Sequence, residues 1–342
     1  MIITRAPVRI GIAGGGSDLP AFYRQYGGRV VNAAVNRYVY VMLSGNRRGS
    51  VQLTSSDFSA FLNFDADADL DRSEDALSLV RAVLADFGLS AGVDVFTASE
   101  TPPGTGLGSS SATAVALVKA VSTYLGQHLS DHEVAERASN IEVERLGSPI
   151  GKQDQYAAAF GGFNVLEFTR DGEVAVRPLD LGASTVEALE RRLHLYFTGV
   201  QRDANTILRA QSDNIAARRA DEGVTDLLDL ATAAETALAE GDLDRLGELL
   251  RLGWERKRSL ASGITSERID GWIARALDAG ATGAKLTGAG GGGYLLAMAA
   301  EGQEERLRRA MHAEGLKPLD YRFDWSGARV LMNSERRASV VA

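Results

Sequence analysis

Apolar and polar positions alternate over residues 2–13, 29–35, 38–43 and 51–54, the period-two pattern of half-buried strands, so the opening segment predicts a sheet. A helix is expected over 74–87 behind Ser73, and the strand-like VDVFTA at 93–98 runs into the break at Pro102-Pro103-Gly104. Beyond that break Ala114, Leu117, Val118, Val121 and Leu125 fall at helical spacing, so a glycine loop empties into the start of an amphipathic helix. Ser130 and Glu133 read as a capping box, with Leu129 and Val134 as its hydrophobic staple, and residues 152–160 as one more short helix. A hairpin is expected at 162–168 and 174–178 about Arg170-Asp171-Gly172. Helical patterns then dominate (204–220, 225–239, 242–257, 266–279), followed by a strand at 293–299, a helix at 302–313 and strands at 319–323 and 328–332. An early sheet followed by a helix-rich α+β region predicts two domains, 1–185 and 186–342, with a frayed polar tail from Asn333.

Composition narrows the chemistry. The 342 residues are 45% hydrophobic and 24% charged, and no apolar run is long enough to cross a bilayer. The N-terminus lacks a secretory layout, so a soluble cytoplasmic protein is expected. Having no cysteine, the chain can form no disulfide, thiolate metal site or cysteine nucleophile. A net charge of −8 without a long Lys/Arg block argues against nucleic acid as a partner. None of the four histidines stands in an HExxH arrangement, which speaks against a zinc hydrolase.

Three segments rise above this background. In Pro103-Gly104-Thr105-Gly106-Leu107-Gly108-Ser109-Ser110-Ser111, glycines let backbone approach an anion, and the following helix favours negative charge at its start. Hydroxyls there add donors or a magnesium ligand. The loop is not a Walker A motif, because no lysine follows its last glycine. Taken alone, it could equally be a flexible turn. The second segment, Lys285-Leu286-Thr287-Gly288-Ala289-Gly290-Gly291-Gly292-Gly293, is too glycine-rich for regular structure unless a backbone or ligand packs against it. The third is Arg9-Ile10-Gly11-Ile12-Ala13-Gly14-Gly15-Gly16-Ser17-Asp18, which alone could be a tight turn with a helix cap.

These segments, in this order, resemble the three motifs of the GHMP kinases (galactokinase, homoserine, mevalonate and phosphomevalonate kinases), and with residues 142–164 the resemblance spans most of the chain. It implies a two-domain α+β fold, with an N-terminal domain like ribosomal protein S5 domain 2 and a ferredoxin-like C-terminal domain, and a site in the cleft between them. It also implies ATP and Mg²⁺ as cofactors. The loop Pro103–Ser111 would wrap the ATP phosphates, and Ser110 would be a magnesium ligand. Glu142 fits the family's magnesium-binding carboxylate by its spacing to Gly147 and Pro149, with Glu144 the alternative. Asp154 aligns with the catalytic aspartate, and Arg9 and Lys152 are the cations expected near the transferring phosphoryl. On an unassigned chain Glu142, Glu144 and Lys152 would read as surface charges and Asp154 as a helix cap.

Gly14-Gly15-Gly16-Ser17-Asp18 replaces the Gly-Glu-His-Thr-Asp block of galactokinases. Together with the Gly-Lys-Gln-Asp-Gln-Tyr segment at 151–156, it is similar to kinases of D-glycero-D-manno-heptose 7-phosphate, which phosphorylate a sugar C1 hydroxyl. Fucokinase-like enzymes acting on an unphosphorylated sugar are the alternative, then kinases of an isoprenoid or amino-acid alcohol. A non-catalytic sugar or nucleotide sensor is the reading from another class. On this resemblance Gly15, Gly16, Ser17, Asp18, Gly290 and Gly291 would bind the sugar, and Arg202 would take its phosphate. The choice between monomer and homodimer stays open.

Overall fold

Residues 2–13 form the expected strand, alternating between buried and less buried positions at both ends with residues 6–10 buried throughout, and a computed structural model describes residues 1–65, 77–201, 204–217 and 221–334. Strand β1 (Ile2–Ala13) leads into the short helix α1 (Pro20–Tyr26), then β2 (Gly28–Gly45), β3 (Val51–Ser55) and β4 (Ala60–Phe64). Helix α2 (Ser78–Asp86), strand β5 (Val93–Ser99), helices α3 (Ser109–Tyr124) and α4 (Asp131–Asn140), a π-helical turn (Ile141–Arg145) and α5 (Gln153–Phe160) follow. After them come β6 (Phe163–Phe168), β7 (Val174–Pro178), α6 (Ala183–Arg192) and β8 (Leu193–Phe197). The remainder is α7 (Ala204–Ala216), α8 (Asp221–Glu240), α9 (Leu243–Lys257), α10 (Glu267–Asp278), β9 (Ala281–Leu286), β10 (Tyr294–Ala299), α11 (Glu304–Ala313), β11 (Lys317–Leu319) and β12 (Arg329–Asn333).

Two sheets organise these elements. The first has eight strands, in the order β12-β1-β2-β5-β3-β4, with β6 and β7 branching from β2. The fork follows from the length of β2. Its first part, Gly28–Ala33, pairs with β6, and its second, Val39–Gly45, pairs with β5. The sequence pattern breaks β2 at Asn36 and Arg37, but β1 pairs along both parts, and the ladder absorbs the break as a register shift between Pro7 and Val8. Helix α3 lies on this sheet, burying Val115, Leu117 and Val118 against Val8, Ile10 and Val41. The second sheet, β11-β8-β10-β9, is antiparallel throughout.

The capping box is formed: Ser130 Oγ accepts from Glu133 N (3.2 Å), and Ser130 N donates to Glu133 Oε2 (2.7 Å). The sequence pattern missed α1, β4, α6, β8 and β9, short elements that little periodicity marks. The expected strand at 319–323 does not form: β11 is Lys317–Leu319, sharing only Leu319 with it, and Phe323 makes an isolated bridge to Val35. The expected domain boundary falls inside α6, while β12, from the far end of the chain, returns to the first sheet beside β1. Ser73 lies outside the described residues. No helix among the described residues is long and apolar enough to cross a membrane.

Candidate active site

The glycine loop between β5 and α3 lines one side of a cavity. Gly104, Gly106 and Gly108 have φ of 74°, 82° and 78°, and left-handed Gly108 caps α3 without a side-chain hydrogen bond. The helix therefore presents the amides of its first turn, and the positive end of its dipole, toward the cavity. Pro103, Gly104, Gly106, Gly108, Ser109, Ser110 and Ser111 line it, as do Asp57 and Phe58. Two loop residues serve the loop itself. Thr105 Oγ1 donates to Pro102 O (2.8 Å), and Leu107 is buried in the core while its carbonyl accepts from Arg9 N (2.9 Å).

Of the two acids at the end of α4, the π-helical turn carries Glu142 inward and Glu144 outward. Glu142 is 2% exposed, accepting from Ser110 Oγ (2.8 Å) and Gln155 Nε2 (2.6 Å), whereas Glu144 meets Arg24 at the surface. Burial pushes the Glu142 carboxyl up to about 7, against the opposing pull of Ser110, Ser111 and Gln155.

A second cavity opens across the loop, lined by Gly14, Gly15, Gly16, Asp18, Gln153, Gln211, Trp254, Lys257 and Lys285. Arg9 and Asp154 line both cavities. The guanidinium donates from Nε to Asp154 Oδ1 (2.7 Å) and from Nη2 to Oδ2 (2.6 Å), and its Nη1 donates to Gly106 O (2.6 Å). Burial raises the Asp154 carboxyl above its usual range, and Arg9 pulls it back. Asp18 accepts from Gly16 N and from Gln153 Nε2, both at 2.9 Å. Gly151 must lack a side chain here, since a Cβ would lie 1.9 Å from Asp18 Oδ2.

Several expected residues stand elsewhere. The Lys152 ammonium points away from both cavities, donating to Glu136 Oε1 (2.9 Å) and Gly172 O (3.1 Å). The reason is local geometry: Lys152 directly precedes α5, whose first turn sends Gln153 and Asp154 toward the cavities. Besides Arg9, the structure supplies the cations Lys257 and Lys285, which the sequence pattern did not mark as site residues. Lys285 opens the second glycine segment and could have been found there, but Lys257 and Gln211 sit on helices with no motif around them. Ser17 holds the turn, its Oγ donating to Gly14 O and Arg29 O. Gly290 and Gly291 are packed on the Ile264 backbone, and it is Gly288 and Ala289 that line the cavities. Arg202 lies outside the described residues.

Comparison with known proteins places this geometry. The N-terminal domain of GHMP kinases matches residues 75–162, and their C-terminal domain matches 234–317. The chain is 30% identical to a D-glycero-alpha-D-manno-heptose 7-phosphate kinase of Campylobacter jejuni, over 96% of this chain and 98% of that one. It is 27% identical to a mevalonate kinase of Pyrococcus abyssi, over 96% and 98% of the two chains. A crystal structure of a D-glycero-D-manno-heptose 1-phosphate kinase from Bacteriodes thetaiotaomicron superposes with a TM-score of 0.82 at 29% identity, covering 98% of this chain and 100% of that one. With three motif segments gathered at one double cavity and both family domains matched, the chain belongs to the GHMP kinases, phosphotransferases that take an alcohol group as acceptor.

Proposed function

We propose that this kinase transfers the γ-phosphoryl of ATP to the C1 hydroxyl of D-glycero-D-manno-heptose 7-phosphate, in the cytoplasm, giving the 1,7-bisphosphate. The observation that carries the reading is the Arg9–Asp154 pair in the wall common to two cavities. Transfer needs donor and acceptor oxygens aligned and charge neutralised more than it needs covalent help. ATP phosphates would rest on the amides of the Gly104–Ser111 loop, with the acceptor sugar beyond Asp154. Asp154 would orient the attacking hydroxyl and take its proton late, and Arg9 would hold the carboxylate in place while facing the transferring group. Asp18, positioned by Gln153 and Gly16, would accept from sugar hydroxyls.

Ser110 and Glu142 fit a magnesium ion. A buried carboxylate pushed to about 7 and surrounded by neutral donors is a site that gains from a cation. No group of three or more His, Cys, Asp or Glu stands ready to hold a metal among the described residues, which suits an ion that takes the rest of its ligands from phosphate and water. When bound, Mg²⁺ would neutralise charge on the ATP phosphates.

The two heptose kinase relatives are named for phosphates at different carbons, so the acceptor position rests on the motif resemblance. An ADP-release assay with MgATP against heptose 7-phosphate, fucose, galactose and mevalonate, with product NMR, tests it. Turnover of the heptose phosphate with a new phosphorus coupling at C1 is expected. Turnover of mevalonate, as the archaeal relative's name suggests, would replace this acceptor.

A further inference from the structure

The acceptor cavity has a second end. Asp18 and Asp154 occupy one side, their oxygens engaged by Gly16, Gln153 and Arg9. Against the Gly14–Gly16 turn the C-terminal half of the chain brings a set of donors. Gln211 is 1% exposed, and its Nε2 lies 2.7 Å from where a Cβ of Gly16 would be, with no hydrogen-bond partner among the described residues. Lys257 Nζ lies 4.0 Å from the corresponding point on Gly15. Lys285 Nζ donates to Ile12 O at 2.7 Å, just before that turn. Trp254, 3% exposed in the same lining, carries an indole N–H that also lacks a partner among the described residues.

Orphaned buried donors cost free energy unless something accepts from them, and two ammonium groups in one enclosed wall repel. Burial, with the charges of Lys257 and Arg9 nearby, pushes the Lys285 ammonium down to about 7. The complement of such a wall is a group that only accepts and carries negative charge.

We propose that Gln211, Lys257 and Lys285 form the subsite for a phosphate already present on the acceptor, the part that Arg202 was expected to play. The inference rests on the kinase reading above and names the group by which the acceptor would be selected. The other phosphate that could reach these donors is the one in transfer, and the two sources separate by which ligand's binding suffers.

The test is calorimetric titration of the whole protein, without nucleotide, with D-glycero-D-manno-heptose 7-phosphate and with the free heptose. The wild type should favour the phosphorylated sugar by about 100-fold, the worth of one or two charge-assisted hydrogen bonds. Gln211→Leu and Lys285→Met should each remove about 10-fold of that preference and leave binding of a non-hydrolysable ATP analogue unchanged. Equal binding of the two sugars by the wild type, or a preference that survives in both variants, overturns the subsite. Weakened binding of the ATP analogue with the preference intact overturns it in favour of the phosphate in transfer. A preference lost in the variants supports it even if the wild type turns over neither sugar, an outcome that would sink C1 phosphorylation alone.

Discussion

Gly106 and Gly288 press their backbones together so closely that a Cβ on Gly288 would lie 2.5 Å from the Gly106 Cα. Both are left-handed, with φ of 82° and 64°, and the contact joins the Pro103–Ser111 loop directly to the Lys285–Gly293 segment. Tyr294 N donating to Thr105 O (3.2 Å) reinforces the seam. Gly288 of the Lys285–Gly293 segment thus serves backbone packing.

Gly288→Ala should therefore destabilise the protein by about 2–4 kcal/mol, from the left-handed penalty plus the clash. Gly315→Ala is the control, because Gly315 is also left-handed (φ 78°) but has nothing within 4 Å of its Cβ position. It should cost only about 1 kcal/mol. Urea denaturation of both variants measures the difference, and equal losses would show that the seam contributes nothing.

Asp154→Asn should lower kcat by about 10²–10⁴-fold with the KM for ATP little changed, since the amide can neither take the hydroxyl proton nor pair with Arg9. Steady-state kinetics on a variant with an unchanged circular dichroism spectrum checks it. Near-parental kcat would remove Asp154 from the chemistry.

Glu142 makes stability depend on pH in a defined window. Its carboxyl titrates near 7 in the folded chain against an ordinary 4.5, so between those values the folded state binds the extra proton. Stability is then lost as pH climbs through that window. Glu142→Gln keeps a neutral group there, so without Mg²⁺ or nucleotide its melting temperature should gain on the parent as pH rises from 4.5 to 7 and then hold level. A difference that does not vary with pH would assign the titration elsewhere.

Lys152→Met should act on stability rather than catalysis, because Lys152 is tied to Glu136 and Gly172 away from the cleft. A loss of about 1–3 kcal/mol is expected, with kcat within about threefold of the parent. A large fall in kcat without a change in melting temperature would return Lys152 to the site.

Much of the site was legible because its parts are local. A strand ending in glycines, a glycine-serine loop before a helix and a glycine run before a strand each announce themselves within about a dozen residues. Asp154 and Glu142 could be counted from neighbouring glycines. The misses were of another kind. Lys152 and Asp154 are two positions apart, yet the start of α5 turns one into the core and the other into the cleft. Gln211 and Lys257 carry no local signal, since a polar residue on a helix looks the same in sequence whether it faces solvent or a cavity.

The sequence by itself determined the family, the opening strand, the glycine loop with its helix and the capped α4, because hydrophobic period, glycine conformation and capping chemistry act between near neighbours. Only the tertiary structure decided which charges meet. Arg9 reaches Asp154 across 145 positions, and Gly106 reaches Gly288, because strand pairing and loop packing bring together segments whose separation along the chain says nothing about their distance in space. The choice of Glu142 over Glu144 belongs to the same level, made by a single π-helical turn that no residue in it announces.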